Sequence, residues 1–392
     1  MNVLLLSQFF STTKGGGEYV FSMIAKMLAK NGHNVWIITN KIENESYDEN
    51  LKIIFVKPVI QYKGGLPPTF SDNIHYVVNT IIASSKILKN NNIDVIHSNN
   101  FSPALAGSIL SSLFSIPHVM TVHDIFSMCG KNYWKKWGEQ TNVSRLNVIL
   151  APIFEKIMIK LKHECVHTVS NASKDDLIKF GEKKPIYTIH NAIDETQVVP
   201  NVMNNHLQFV YTGRLVFYKN LEVIIKAIGI LKRNYPTIKL VIVGDGPHRK
   251  SLEELVNKLG LKYNVEFLGY VSHNKKMEII AGSNALLFPS LCEGFGLVIL
   301  EAFSQGKPVL VSNLRPMSDI VTNGKNGFVL DPHNETIWAD YIVKLIEDVD
   351  KSLEMGKAGC NLLVQSFNQD LMYNKILEMY NSCINEKIIP NH

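Results

Sequence analysis

Arginine is scarce in this chain. Only Arg145, Arg214, Arg233, Arg249 and Arg315 are present, and lysine supplies the rest of a mild formal net charge of +5. Readers of duplex DNA favour bidentate arginine, so the shortage argues against that class and leaves anionic small molecules or anionic membrane surfaces open. Cysteine is sparse as well. Cys129, Cys165, Cys292, Cys360 and Cys383 form neither a Cys-x-x-Cys pair nor a zinc spacing, and they read as reduced thiols of a cytosolic protein. No window reaches 18 apolar residues, so no segment is expected to span a bilayer. The apolar start MNVLLLSQFF lacks a preceding basic region and a small-residue cleavage site, and it is expected as a first buried strand, not a signal peptide. Missing too are a G-x-G-x-x-G turn, which lowers a dinucleotide oxidoreductase reading, and the G-x-x-x-x-G-K-[ST] loop of nucleoside triphosphatases. No cysteine lies at ligand spacing from His97 or His123 and no helix carries His-x-x-x-His, so no metal is expected.

What is present is length and alternation. At 392 residues, 46% hydrophobic and 19% charged, the chain exceeds what one core usually holds, and two domains are expected. Short apolar runs at 3–7, 35–39, 53–56, 94–98, 119–123, 166–170 and 186–190 read as buried strands. Amphipathic patterns at 18–30, 74–89, 103–114, 145–162 and 172–180 read as the helices between them. After a polar stretch at 194–205, a linker, the alternation restarts with strands near 209, 240, 265, 286, 309 and 328, and helices at 221–232, 252–259, 275–280, 295–303 and 336–346. This is the signature of two parallel sheets covered on both faces, an α/β class.

Ligands of such sheets lie beyond the carboxyl ends of strands. Thr13-Lys14-Gly15-Gly16-Gly17-Glu18 precedes a helix there, and its glycines allow close backbone approach. Other strands end in His97 with Asn99 and Asn100, and in His123 with Asp124. A histidine that closes a buried strand is most often structural, the reading preferred for His97, while the long loop after His123 leaves a functional and a structural reading open. In the second half Gly213-Arg214 ends a strand and Lys219 precedes a helix. Two fixed cations at a helix start suit a diphosphate without a metal. Gly244-Asp245-Gly246 and Gly269-Tyr270 are further glycine corners suited to a nucleoside. Glu293 stands at a loop tip, where it can accept sugar hydroxyls, and Glu301 lies eight residues on in a helix expected to start at Phe295.

These residues carry a resemblance. Glu293-Gly294-Phe295-Gly296-Leu297 through Glu301, followed by Gly306-Lys307-Pro308, resembles the Glu-x7-Glu signature of the retaining nucleotide-sugar glycosyltransferases of family 4. Gly213-Arg214 with Lys219, Gly244-Asp245-Gly246, Gly15-Gly16-Gly17, His123-Asp124 and Asn191-Ala192-Ile193-Asp194 resemble its other motifs. Asn220 and Ala192 depart from the pattern, standing where the family usually has glycine. The resemblance implies the GT-B fold: two Rossmann-like α/β/α domains facing across a cleft, with a C-terminal helix crossing back to the first. It implies an acceptor-binding domain over 1–195, packed also by 366–392, and a nucleotide-sugar-binding domain over 196–365, hinged near 192–207 and 365. It further implies transfer from a nucleoside-diphosphate sugar of UDP or GDP type to an acceptor hydroxyl with retention, with no separate cofactor. His123, Arg214, Lys219 and Glu293 are the implied catalytic residues. Gly16, Gly17, Gly213, Gly244, Asp245, Gly269, Tyr270, Phe295, Gly296, Leu297 and Glu301 are the implied donor contacts.

The acceptor stays open between a lipid-linked and a soluble molecule. Between Lys131 and Glu164, seven Lys or Arg stand against three Glu, and aromatic residues interleave with them. The pattern suits an anionic membrane surface and a peripheral site on its cytoplasmic face, and equally a core-facing helix with a solvated basic back. The 62–68 loop is a candidate for shaping the acceptor side. Competing readings are a nucleotide-sugar epimerase, a synthase acting on a soluble sugar or sugar phosphate, and a non-catalytic sugar-nucleotide binder.

Overall fold

The structure, a computed structural model, describes residues 1–10, 16–40, 51–58, 70–130, 132–141, 145–193 and 207–385. Thr13 to Gly15 of the first glycine loop, the 62–68 loop, Lys131, the 194–205 linker with Asp194, and 386–392 lie outside the described residues.

The chain divides into two compact units. The first runs through β1 (Asn2–Leu6), α1 (Gly16–Lys30), β2 (Asn34–Asn40), β3 (Lys52–Val56), α2 (Phe70–Asn90), β4 (Val95–Ser98), α3 (Ser102–Phe114) and β5 (His118–Thr121). Then come α4 (Tyr133–Thr141), which groups with the second unit from Lys135 on, α5 (Arg145–Met158), β6 (Cys165–Thr168), α6 (Asn171–Phe180) and β7 (Ile186–Thr188). Its seven strands lie in the order β3-β2-β1-β4-β5-β6-β7, all parallel. Leu4, Leu6, Ile38, Ile96 and Tyr76 pack one face of this sheet, and Met120, Val122, Val166 and Leu177 belong to a second cluster.

The second unit contains β8 (Gln208–Thr212), α7 (Leu221–Leu231), β9 (Lys239–Val243), α8 (Arg249–Lys258), β10 (Val265–Gly269), α9 (His273–Ala281) and β11 (Ala285–Phe288). It continues with α10 (Leu297–Ser304), β12 (Val309–Ser312), α11 (Met317–Ile320), β13 (Gly327–Leu330), α12 (Glu335–Glu347) and α13 (Val349–Ser366). The parallel order is β10-β9-β8-β11-β12-β13. Both sheets are doubly wound. The order reverses between β1 and β4 in one and between β8 and β11 in the other, and such a reversal is where open α/β sheets leave a crevice for a ligand.

The last described helix, α14 (Gln369–Asn385), belongs to the first unit. Tyr380 on it donates or accepts a 2.7 Å bond with His97 Nδ1, and Tyr373 meets His33 Nε2 at 2.9 Å. The expectation of reduced thiols needs correction here, because Cys383 of α14 forms a disulfide with Cys165 of β6. Their Cα atoms lie 6.8 Å apart, within the span such a bond bridges, yet 218 residues separate them in sequence, so no local spacing could announce the pair.

Candidate active site

At the switch point of the first unit, α1 opens on Gly16 and Gly17. A Cβ on Gly17 would come within 2.9 Å of His123 Nε2, so any side chain here would push against that ring. His123 follows β5 and is half-buried; its Nε2 meets Asn99 Oδ1 at 3.0 Å, and its backbone N–H donates to Asn100 Oδ1 at 3.3 Å. With the Asn99 amide oxygen accepting, Nε2 holds the ring proton and Nδ1 keeps a lone pair. Burial pushes the pKa of His123 down to about 4, so the ring is neutral at neutral pH. Asn99 and Asn100 follow β4, the strand beside β5, and so deliver the His123 clamp from one side.

His97 has the structural role expected of it. It is fully buried, with Nδ1 on Tyr380 Oη and Nε2 2.6 Å from Thr121 Oγ1, which lies 2.8 Å from His167 Nδ1.

In the second unit three glycine corners stack at adjacent strand ends. Gly213 N–H donates to Val243 O at 3.0 Å and Gly244 N–H to Gly269 O at 2.8 Å; a Cβ on Gly244 would lie 2.0 Å from Gly213 O. Only glycine permits that approach, and the φ of 126° at Gly244 is in the region glycine favours. Asp245 is engaged by its own corner: Oδ1 accepts from Gly246 N–H at 2.7 Å and Oδ2 from Arg249 at 3.2 Å. Tyr270 is 61% exposed beside it, its hydroxyl 3.5 Å from the Asp245 carbonyl.

The turn after β8 carries both expected cations. Arg214 Nη2 donates to Tyr218 Oη at 2.9 Å, and Tyr211 Oη donates to the Arg214 carbonyl at 3.2 Å, fixing the arginine's backbone and its head. Lys219 forms an ion pair with Glu293, the two side chains only 12% and 13% exposed. The loops are sewn together by Leu291 N–H donating to Tyr218 O at 2.7 Å and by Asn220 Nδ2 donating to Pro289 O and Pro332 O. Asn220 stands in the left-handed region, φ 55°, which explains how it substitutes for the family's usual glycine: asparagine is the side chain best suited to that conformation, and here its amide is used as well. Ala192, at the other departure, is fully buried.

One boundary differs from expectation. The helix begins at Leu297, not Phe295, because Gly296 takes φ 94° and stops the helix from extending backward. Phe295 is instead a buried wedge, its ring 5.7 Å from that of Phe367. Glu301, one turn into the helix, accepts from Lys276 Nζ at 2.5 Å, and its Oε2 is buried with no hydrogen-bond partner among the described residues. Sequence reading missed Lys276, which reaches Glu301 from α9 through tertiary packing alone, and Tyr211 and Tyr218, which look like ordinary strand and turn aromatics.

The arrangement in the second unit is a switch point lined by Arg214, Lys219, Glu293 and Glu301. Among the described residues no group of three or more His, Cys, Asp or Glu is placed to hold a metal ion. Two doubly wound halves with polar switch points are the GT-B class of fold. Residues 14–197 match the family model described as Glycosyltransferase Family 4, and residues 193–361 match that of Glycosyl transferases group 1. The chain belongs to these glycosyltransferases. It is 27% identical over 364 residues to an Escherichia coli UDP-Gal:alpha-D-GlcNAc-diphosphoundecaprenol alpha-1,3-galactosyltransferase, covering 86% of this chain and 90% of that one. The fold is similar to that of a Thermosynechococcus elongatus sucrose-phosphate synthase, with TM-score 0.81, 19% identity and coverage of 98% and 99%. It is also similar to Anabaena HepE solved with UDP-glucose, with TM-score 0.75, 20% identity and coverage of 97% and 100%.

Proposed function

We propose that this enzyme moves a sugar from a nucleoside-diphosphate donor of UDP or GDP type to an acceptor hydroxyl, with retention at the anomeric carbon. The observation that carries the reading is the nearly buried Lys219–Glu293 pair beside Arg214 at the β8/β11 switch point. Holding a lysine and a carboxylate so far from water is costly unless the charges are used. A diphosphate supplies the use: it takes Lys219 as its counter-ion and frees Glu293 to accept sugar hydroxyls.

In this mechanism the bond from the anomeric carbon to the β-phosphate oxygen breaks, and a bond to the acceptor oxygen forms on the same face. The acceptor's proton passes to the departing phosphate oxygen, and the products are a nucleoside diphosphate and a glycoside. Arg214 and Lys219 meet the charge that grows on the diphosphate, which stabilises the transition state more than the bound donor. Glu301, steadied by Lys276 on one oxygen, offers its unpartnered Oε2 to a ribose hydroxyl. His123 serves the transferred sugar with a ring that stays neutral, as Gly16 and Gly17 leave room beside it.

A lipid-linked acceptor is favoured because the E. coli relative is named for a diphosphoundecaprenol substrate, and a site on or near a membrane surface goes with it. The test is a screen of radiolabelled nucleotide sugars against lipid-phosphate and soluble acceptors, with a donor-alone arm for epimerisation and Lys219→Ala as control. Transfer with retained configuration, lost in the folded variant, supports the reading; transfer that the variant keeps overturns it.

A further inference from the structure

On the outside of the first unit, α5 is turned against the usual sense of an amphipathic helix. Its buried residues are Glu155 and Met158, while Leu146, Ile149, Ile153, Phe154 and Ile157 are each between 46% and 64% exposed. Glu155 accepts from the backbone N–H groups of Phe126 at 2.8 Å and Ser127 at 3.0 Å, and from the Ser127 hydroxyl. The only carboxylate of the helix is thereby taken inward, and the apolar side is left facing out. At about 100° per residue, Leu146, Ile149, Ile153 and Ile157 fall within about 80° of one another, with Glu155 on the far side.

Helix α2 repeats the pattern. Phe70, Ile74, Val78 and Ile82 recur every fourth residue and are between 47% and 59% exposed. The rings of Phe70 and Phe154 stand 6.4 Å apart, joining the two stripes. Scattered exposed apolar residues need no explanation, but a joined patch on two helices does.

The charge around it selects the occupant. From 145 to 162 the charged residues are Arg145, Lys156, Lys160 and Lys162, all exposed, and Glu155, which is buried, so every exposed charge is positive. Lys86 and Lys89, also exposed, close α2. We infer that the joined α2 and α5 faces form a docking surface for an anionic lipid bilayer, the isoleucines and phenylalanines entering the acyl boundary while the lysines meet headgroup phosphates. A second copy of the chain fits less well, since a two-fold contact would set Arg145, Lys156 and Lys160 near their own counterparts. Among the described residues no helix is long and apolar enough to cross a membrane, so contact is by adsorption. The surface differs from the 131–164 segment expected from composition: Tyr133 is buried, residues from Lys135 to 141 group with the other unit, and α2 takes their place. The inference deepens the lipid-acceptor reading but is tested by binding, not transfer.

The full chain is sedimented with vesicles of phosphatidylcholine alone and of phosphatidylcholine mixed with phosphatidylglycerol. It should partition onto the mixed vesicles, much less onto the neutral ones, and come off in high salt. Lys156→Ala/Lys160→Ala should weaken partitioning roughly thirtyfold, and Ile149→Ser/Ile153→Ser about tenfold or more. Failure to bind either vesicle, equal binding to both, or binding that both variants retain overturns the proposal. So does a concentration-dependent dimer abolished by the isoleucine variant, which assigns the face to a second copy. Transfer to a soluble acceptor that persists without vesicle binding sinks this inference alone.

Discussion

The two units handle polarity in opposite ways. In the first unit histidines lie within β4, β5 and β6 and just after β5, and burial keeps them uncharged: His118 and His123 are held near 4, His167 near 3, and His97 well below its ordinary value of 6.5. In the second unit charges stand in pairs, Lys219 with Glu293 in the loops after β8 and β11, and Lys276 of α9 with Glu301 of α10. A neutral ring can orient a sugar hydroxyl without disturbing a nearby anion, whereas a cation with a replaceable partner can accept a diphosphate and release it. Under the proposed mechanism, positioning falls to the first unit and charge stabilisation to the second.

The sharpest way to break this division is to remove the charge. Lys219→Ala should lower kcat about a hundredfold to a thousandfold, the scale on which a lost transition-state donor is felt. Its thermal unfolding should show a folded protein, because Lys219 is at a loop that Leu291 N–H and Asn220 still tie down. A turnover within about tenfold of the parent's would remove the second unit's claim to the chemistry.

Acid tests the first unit in turn. Each buried ring is neutral when folded and takes up a proton near its ordinary value when unfolded. Its contribution is thus complete above about pH 6.5 and declines as pH falls from there toward the folded-state value, by about 1.4 kcal/mol per pH unit for each ring. Urea unfolding from about pH 6.5 to about pH 5 should show that loss. His118→Gln, which can keep contacts to Ser98 Oγ and the Lys162 carbonyl, should flatten the slope by one ring's share. An unchanged slope would mean that the rings are not the groups that titrate. A smaller effect is expected for Glu301→Gln: donor KM should rise about tenfold with kcat nearly kept, the mark of lost uniform binding.

How much of this was legible depended on the range of the interaction concerned. The apolar runs announced the buried strands because Val3 to Leu6 and Val35 to Ile38 are buried on both faces of their sheet. Arg214, Lys219 and Glu293 were legible because they sit in the loops after β8 and β11, beside Gly213 and Gly296, and Glu301 because it follows Glu293 by eight residues. The start of α10 was misplaced by two residues, since the left-handed Gly296 between Phe295 and Leu297 is a backbone state and not a composition. Lys276, the Cys165–Cys383 bond and the partner of His97 were hidden for another reason: each joins residues far apart in sequence, 283 positions in the case of His97 and Tyr380. Burial of Glu155, which turns α5 outward, could not be read from a helical wheel that assigns carboxylates to water.

The finest comparison lies between two neighbouring glycines. A Cβ at Gly17 would come within 2.9 Å of His123 Nε2, whereas at Gly16 it would find nothing within 4 Å among the described residues. Both open α1, where alanine is the better helix former by up to about 1 kcal/mol. Gly17→Ala should therefore displace the ring from Asn99 and lower stability by about 1 kcal/mol or more despite the gain in propensity. Gly16→Ala should leave stability unchanged or raise it by a few tenths of a kcal/mol. Chemical-denaturant midpoints at equal slope resolve the pair. If both variants lose the same stability, the close approach of His123 to the helix start is not what selects glycine there, and the neutral ring loses its fixed position in the first unit. If Gly16→Ala is as stable as the parent and still impairs transfer, the space beside its backbone is occupied by substrate.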